Sequence, residues 1–383
     1  TGLYTVKIIE NINPYANSAY KDCSIIHIPE SVIYNDLTFI VTKIDKSTFW
    51  QCDKLTSIIL PNTITEIGQN AFGHCGNLTS INLPLTLTKI CDDAFCGCHE
   101  LTNIIIPPNI VEIGEYAFSS CNPQSIVIPK SVKIIGEHAF SCGDNLAEIR
   151  FESKKTKYDS PKDCNAIIET KTNSLILGCK NTTIPDEVKV IKESAFSSCS
   201  FKSILIPSNV IEIEDYAFAW CNLTSITIPK NVTHIGKNAF HGCYFLESII
   251  LNNGITAIED HSFQYCKNLA SIIIPDSVKT IGKEAFDDCT SLVSVTLNEG
   301  ITHIGDFTFR NCSNLQSITL PESIVSIGKG AFEGCTSLTA INIPSNVSSI
   351  GDCAFESCTN LSFMSVHADN KTYDSRENCN AII

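Results

Sequence analysis

Cysteine is the residue with the most chemical reach in this 383-residue chain, which contains twenty of them. A thiolate can attack carbon, ligate zinc or pair into a disulfide, and spacing distinguishes these uses. Thirteen of the cysteines recur at one place in a repeated phrase, from Cys52 and Cys75 through to Cys335 and Cys358. Each follows a Phe by three residues, with one shortening at Phe140 and Cys142. A column of identical small apolar residues reads as a stacking ladder, and an odd column cannot pair completely, so reduced core thiols are expected rather than disulfides. Cys91, Cys96 and Cys98 are spaced like weak metal ligands, but Cys98 belongs to the ladder and no clustered His completes a set.

Other reactive types fare no better. Ser57, Ser80, Ser125, Ser203, Ser225, Ser248, Ser271, Ser294 and Ser317 form a second column, without a recurring His or acid to activate a hydroxyl. Asp159 and Asp163 could face a calcium ion, yet such a site needs more oxygens and a Gly-centred loop, so a structural turn is the expectation. The nine histidines form no His-Glu-x-x-His pattern. The acids vary from repeat to repeat, which disfavours the fixed carboxylate pair of a glycan hydrolase. No catalytic residue, metal or cofactor is therefore expected.

The elements that position these columns follow from the same phrase. Its Phe stands at 49, 72, 95, 118, 140, 196, 218, 240, 263, 286, 309, 332 and 355, spaced by 22 or 23 residues except for 56 between Phe140 and Phe196. A fixed period of this length means a solenoid, because one unit cannot bury its apolar side without stacked neighbours. In Leu78-Thr-Ser-Ile81-Asn-Leu83-Pro84 the apolar residues alternate, as in a short strand with one face buried. Eleven rungs close this strand with Pro, which cannot donate to a ladder. Val132 and Ile135, or Val278 and Ile281, then turn inward along a second side. The remaining stretch through Ala-Phe-x-x-Cys is too short for a long helix, so one or two α or 3₁₀ turns are predicted there.

The full phrase, Leu-x-x-Ile-x-Ile-Pro-x-x-Val-x-x-Ile-Gly-x-x-Ala-Phe-x-x-Cys, resembles the BspA-type leucine-rich repeat of bacterial surface antigens from Cys23 to Cys358, apart from one insertion. The resemblance implies an α/β solenoid: a right-handed leucine-rich-repeat coil with a parallel β-sheet on one face and short helical or 3₁₀ turns on the other. It further implies secretion or surface display and adhesive binding of host or bacterial macromolecules, and it carries over no catalytic residue.

The expected organisation is an N-terminal cap with a hairpin at Asn35-Asp36 over 1–45, a first repeat block over 46–150, a β-hairpin insertion over 151–185, a second block over 186–366 and a partial insertion over 367–383. The insertion is predicted from two apolar runs, Asn165–Glu169 and Ser174–Cys179, around a polar turn at 170–173. Its opening, Tyr158-Asp-Ser followed by Cys164-Asn-Ala-Ile-Ile168, returns 215 residues later as Tyr373-Asp-Ser and Cys379-Asn-Ala-Ile-Ile383, so the array is expected to continue past Ile383. A start at Thr1 likewise suggests a processed or trimmed product.

Composition excludes some partners. A formal net charge of −14 argues against nucleic acid, whose phosphates demand clustered Lys and Arg. The short basic cluster at 154–157 reads as a solvated loop, and no run of 18 apolar residues supports membrane insertion. The chain is read as a monomer that binds a host or bacterial protein or glycan.

Such binding would use outward residues at the strand centre: Ile59, Asn82, Ile105, Val127, Arg150, Leu205, Thr227, Ile250, Ile273 and Thr296. Exposed aliphatics there would make an adhesive strip, whereas strand propensity alone also enriches Ile and Val. The alternative function is a structural spacer presenting another domain. Trp50 and Trp220 read as local packing on the outer turns.

Overall fold

The computed structural model describes residues 4–8, 20–141, 145–152, 156–161 and 164–375. It divides into two compact units, residues 1–172 with 176–182, and residues 173–175 with 183–383. Both are stacks of coils about one repeat long, whose strands pair from coil to coil in two parallel ladders, the strand-face ladder being interrupted at rungs without a strand.

In the first unit, Ile25–His27, Ser57–Ile59 and Ser80–Asn82 pair in parallel, as do Ser125–Ile128 and Glu148–Phe151. The register sets like on like: Ser57 opposite Ser80, and Ile58 opposite Ile81. The second sheet runs from Tyr4–Ile8 through Leu37–Ile44, Glu66–Ile67, Lys89–Ile90 and Glu112–Ile113 to Ile134–Ile135. Ser31–Tyr34 joins antiparallel to Leu37–Ile44 around Asn35 and Asp36, both at positive φ (50° and 61°), as a tight two-residue hairpin requires.

The second unit repeats the scheme, with Ser271–Ile273, Ser294–Thr296 and Ser317–Ile318 on one sheet. Ala257–Ile258, Thr280–Ile281, His303–Ile304, Ser326–Ile327 and Ser349–Ile350 form the other.

Within the insertion, Ala166–Glu169 pairs antiparallel with Tyr158–Asp159, and residues 170–173 turn the chain into Ser174–Gly178. Ser174 and Leu175 pair in parallel with Val190 and Ile191 of the second unit's sheet. Lys154, Lys155 and Asp163, together with Cys142 and residues 376–383 of the partial second insertion, lie outside the described residues.

The core is the repeated phrase itself. Phe49, Phe72, Phe95, Phe118 and Phe140 stack with centroids 5.1–5.4 Å apart, and Phe196 to Phe355 do so at 5.2–5.5 Å. Burying each such side chain stabilises the coil by about 1.5–3 kcal/mol, which an isolated repeat could not gain.

The third side corrects the expected helical or 3₁₀ turns: no α-helix is present among the described residues. Two positions per coil have positive φ, for example Asn70 (54°) and His74 (59°), or Glu284 (53°) and Asp288 (57°). Alternate amides then point in opposite directions. Ala71, Gly73 and Cys75 donate to the carbonyls three residues back, whereas Asn70, Phe72 and His74 donate to Asp92, Ala94 and Cys96 of the next coil at 2.6–3.0 Å. A helix would direct every amide back along its own segment; here half of them tie one coil to the next.

Candidate ligand-binding face

Members of the cysteine ladder share one geometry among the described residues. The thiols of Cys75, Cys98, Cys243, Cys266, Cys289, Cys312 and Cys335 are buried and donate to the carbonyl of the Phe one coil back, as Cys98 does to Phe72 at 3.2 Å. Burial pushes the thiols of Cys75 and Cys243 up to about 12, far from nucleophilic at neutral pH. No group of three potential metal ligands occurs among the described residues.

The outward strand column was predicted at ten positions. Ile59, Asn82, Ile105, Arg150, Leu205, Thr227, Ile250, Ile273 and Thr296 are exposed. Val127 is only half-buried on the same register, opposite Arg150, so its exposure is smaller than the pattern predicts. In the first unit Ile59 is 46% and Ile105 73% exposed; in the second Leu205 is 85%, Ile250 63% and Ile273 72% exposed. Ile105 and Leu205, the most exposed of these, lie on rungs whose backbone does not form a strand. Alternation explains the column, since each of these residues is flanked by inward neighbours such as Ile58 or Ile272, which are buried.

The Ser column lies on the same outward face, and Ser80 and Ser57 are linked hydroxyl to hydroxyl at 3.2 Å. It has the geometry of a polar ladder between coils.

A charged cluster on the turns of the second unit was missed from the sequence. Arg310 grips Asp287 with Nε at 2.8 Å and Nη2 at 2.6 Å, and Gln264 donates to Asp287 at 2.8 Å and to Glu284 at 2.9 Å. Asp287 is fully buried, and its carboxylate holds the Arg310 pKa above its ordinary value. The signal was available, because Gln264, Asp287 and Arg310 are successive members of one column at the 23-residue offset. With its acid neutralised by a bidentate partner, the cluster is a cross-coil tie.

Trp220 lies against the turn of the next coil: a Cβ on Gly242 would sit 2.5 Å from its Cδ1. His241 meets it edge-on at 5.2 Å, in keeping with local packing. Asp159 caps the insertion turn by accepting from the Ser160 amide at 2.8 Å. No helix among the described residues is long and apolar enough to cross a membrane.

Stacked coils with two parallel ladders, a Phe spine and an exposed strand face define a leucine-rich-repeat protein. The family model described as the BspA type Leucine rich repeat region matches residues 1–90, 65–174, 167–292 and 256–381, and the chain belongs to this family. Among solved structures, it is similar to a leucine-rich repeat protein from Eubacterium ventriosum, with 27% identity over 86% of this chain and 88% of that one, at a TM-score of 0.72. A leucine-rich repeat protein from Bacteroides ovatus is 30% identical over 90% and 87% of the two chains, with a TM-score of 0.55. A leucine-rich cell-surface protein from Faecalibacterium prausnitzii is 27% identical over 90% and 88%, with a TM-score of 0.52. No curated protein matches the chain.

Proposed function

We propose that this protein is a non-enzymatic adhesion module, displayed at a cell surface or secreted, that captures an extended polypeptide along its strand face. The observation that carries this reading is the outward aliphatic column of each unit, with Ile105 at 73% exposure in the first and Leu205 at 85% in the second, beside inward neighbours such as Ile106 and Ile206 that are buried. Large aliphatics held in water favour a partner that covers them, at about 25 cal/mol per Å² of apolar area removed from solvent. The surface placement draws support from the cell-surface description of the similar Faecalibacterium prausnitzii protein.

Binding of the intact chain to a panel of immobilised matrix and bacterial surface proteins tests the reading. Ile105→Asp and Leu205→Asp should each weaken capture at least tenfold while leaving the thermal transition in place, because both side chains are exposed. Capture that is unchanged in both variants, or absent across the panel, refutes the strand-face reading. Val127→Asp is a poorer probe, since its half-buried side chain also packs.

A further inference from the structure

Where the insertion meets the strand face of the first unit, the surface opens into a pocket of about 420 Å³ that includes Glu148, Arg150, Ser160, Asn165 and Asn181 in its lining. Its volume falls within the range of small-ligand sites. We propose that this pocket binds one residue of a neutral saccharide, with Glu148 and Arg150 as its recognition pair.

Two kinds of residue line it. Ser160 and Asn165 are occupied in holding the insertion: the Phe151 amide donates to Ser160 Oγ at 2.8 Å, Ser160 Oγ donates to the Ala166 carbonyl at 2.7 Å, and the Asn165 side chain donates to the Asn181 carbonyl at 3.3 Å. Asn165 also takes a positive φ of 51°, which Asn tolerates well.

Glu148 and Arg150 have no such duty. They stand two residues apart on the outward face of Glu148–Phe151, with Arg150 Nε 3.8 Å from Glu148 Oε1, and each is more than half exposed. That separation exceeds hydrogen-bond length, and neither side chain has a hydrogen bond to a described residue, so both keep their bonding capacity toward the pocket.

The second copy of the insertion separates scaffold from specificity. Val366 donates to Ser375 Oγ at 3.0 Å, repeating the Phe151–Ser160 bond 215 residues later. At the same offset, however, Glu148 and Arg150 are replaced by Phe363 and Ser365. The Phe151–Ser160 bond therefore does not need the charged pair, and the pair belongs to the first copy alone.

Charge identifies the ligand class. An anion would be drawn to Arg150 but repelled by Glu148, and a cation the reverse. A neutral polyhydroxyl ligand uses both, its hydroxyls donating to the Glu148 carboxylate and accepting from the Arg150 guanidinium, while the exposed Asn181 amide can do either.

Saturation-transfer NMR on the intact chain, with mixtures of neutral hexoses, N-acetylhexosamines and sialic acid, tests the proposal. Transfer to a neutral sugar is expected. It should fall at least tenfold in Glu148→Gln, in Arg150→Gln and in the double variant Glu148→Phe with Arg150→Ser, which imports the two residues that the second copy carries at these positions. No transfer to any sugar, transfer to sialic acid alone, or transfer undiminished in these variants overturns the proposal. Ile105→Asp should leave sugar binding unchanged, so this pocket and the polypeptide strip stand or fall separately.

Discussion

The thiol of Cys98 donates a hydrogen bond of 3.2 Å to the carbonyl of Phe72, one coil back, and that carbonyl also accepts the Cys75 amide. The ladder thus uses cysteine as a small apolar donor, a combination that Ala and Val lack. Burial holds these thiols protonated, with Cys75 and Cys243 raised from an ordinary 9.0 to about 12. Between those values the unfolded chain sheds protons that the folded coil keeps, so stability is full below pH 9 and falls as pH rises toward 12. The urea midpoint, measured with reductant present, should drop markedly from pH 7.5 to pH 10. An unchanged midpoint would mean that the folded coil accommodates thiolates.

Coil spacing sets a second test. A Cβ on Gly328 would lie 2.5 Å from the Gly305 carbonyl carbon, whereas one on Gly76 meets nothing closer than 4.0 Å. Gly328→Ala should cost about 1–3 kcal/mol in denaturant titrations. Gly76→Ala should be neutral or stabilise by up to about 1 kcal/mol through the unfolded chain.

Two repeats replace the strand-ending Pro with Asn252 or Asn298. Asn298 is buried; its side-chain amide donates to the carbonyls of Pro275 (2.6 Å) and Val278 (3.1 Å), and its side-chain oxygen accepts the Gly300 amide (2.6 Å). Asn298→Ala should cost about 1–3 kcal/mol, read as a lower thermal midpoint, because it strands buried backbone groups.

Arg310→Met should leave the buried Asp287 carboxylate without its cation and destabilise the second unit by about 3–5 kcal/mol. The double variant Asp287→Leu with Arg310→Met should recover part of that loss in the same unfolding assay. A double variant as unstable as the single one would show that the pair contributes more than mutual neutralisation.

Much of this protein was legible in its residue order. Alternation in Leu78–Pro84 identified a strand with Ile81 facing in and Asn82 out, and the 22–23-residue period identified which Phe, Ile and Cys share a column. Complementary residues one period apart, such as Asp287 and Arg310, were visible by the same logic but do not announce themselves as contacts.

By itself the sequence determined the solenoid class, its core columns and its outward strand face, because period and alternation dictate which way each side chain points. Only the tertiary structure decided that the third side is a chain of turns, since the destination of the Phe72 amide depends on how closely the Ala94 carbonyl approaches from the next coil. It also decided that Glu148, Arg150 and Asn181 share a pocket, because that proximity is made by the path of the insertion across the sheet and leaves no trace in local spacing.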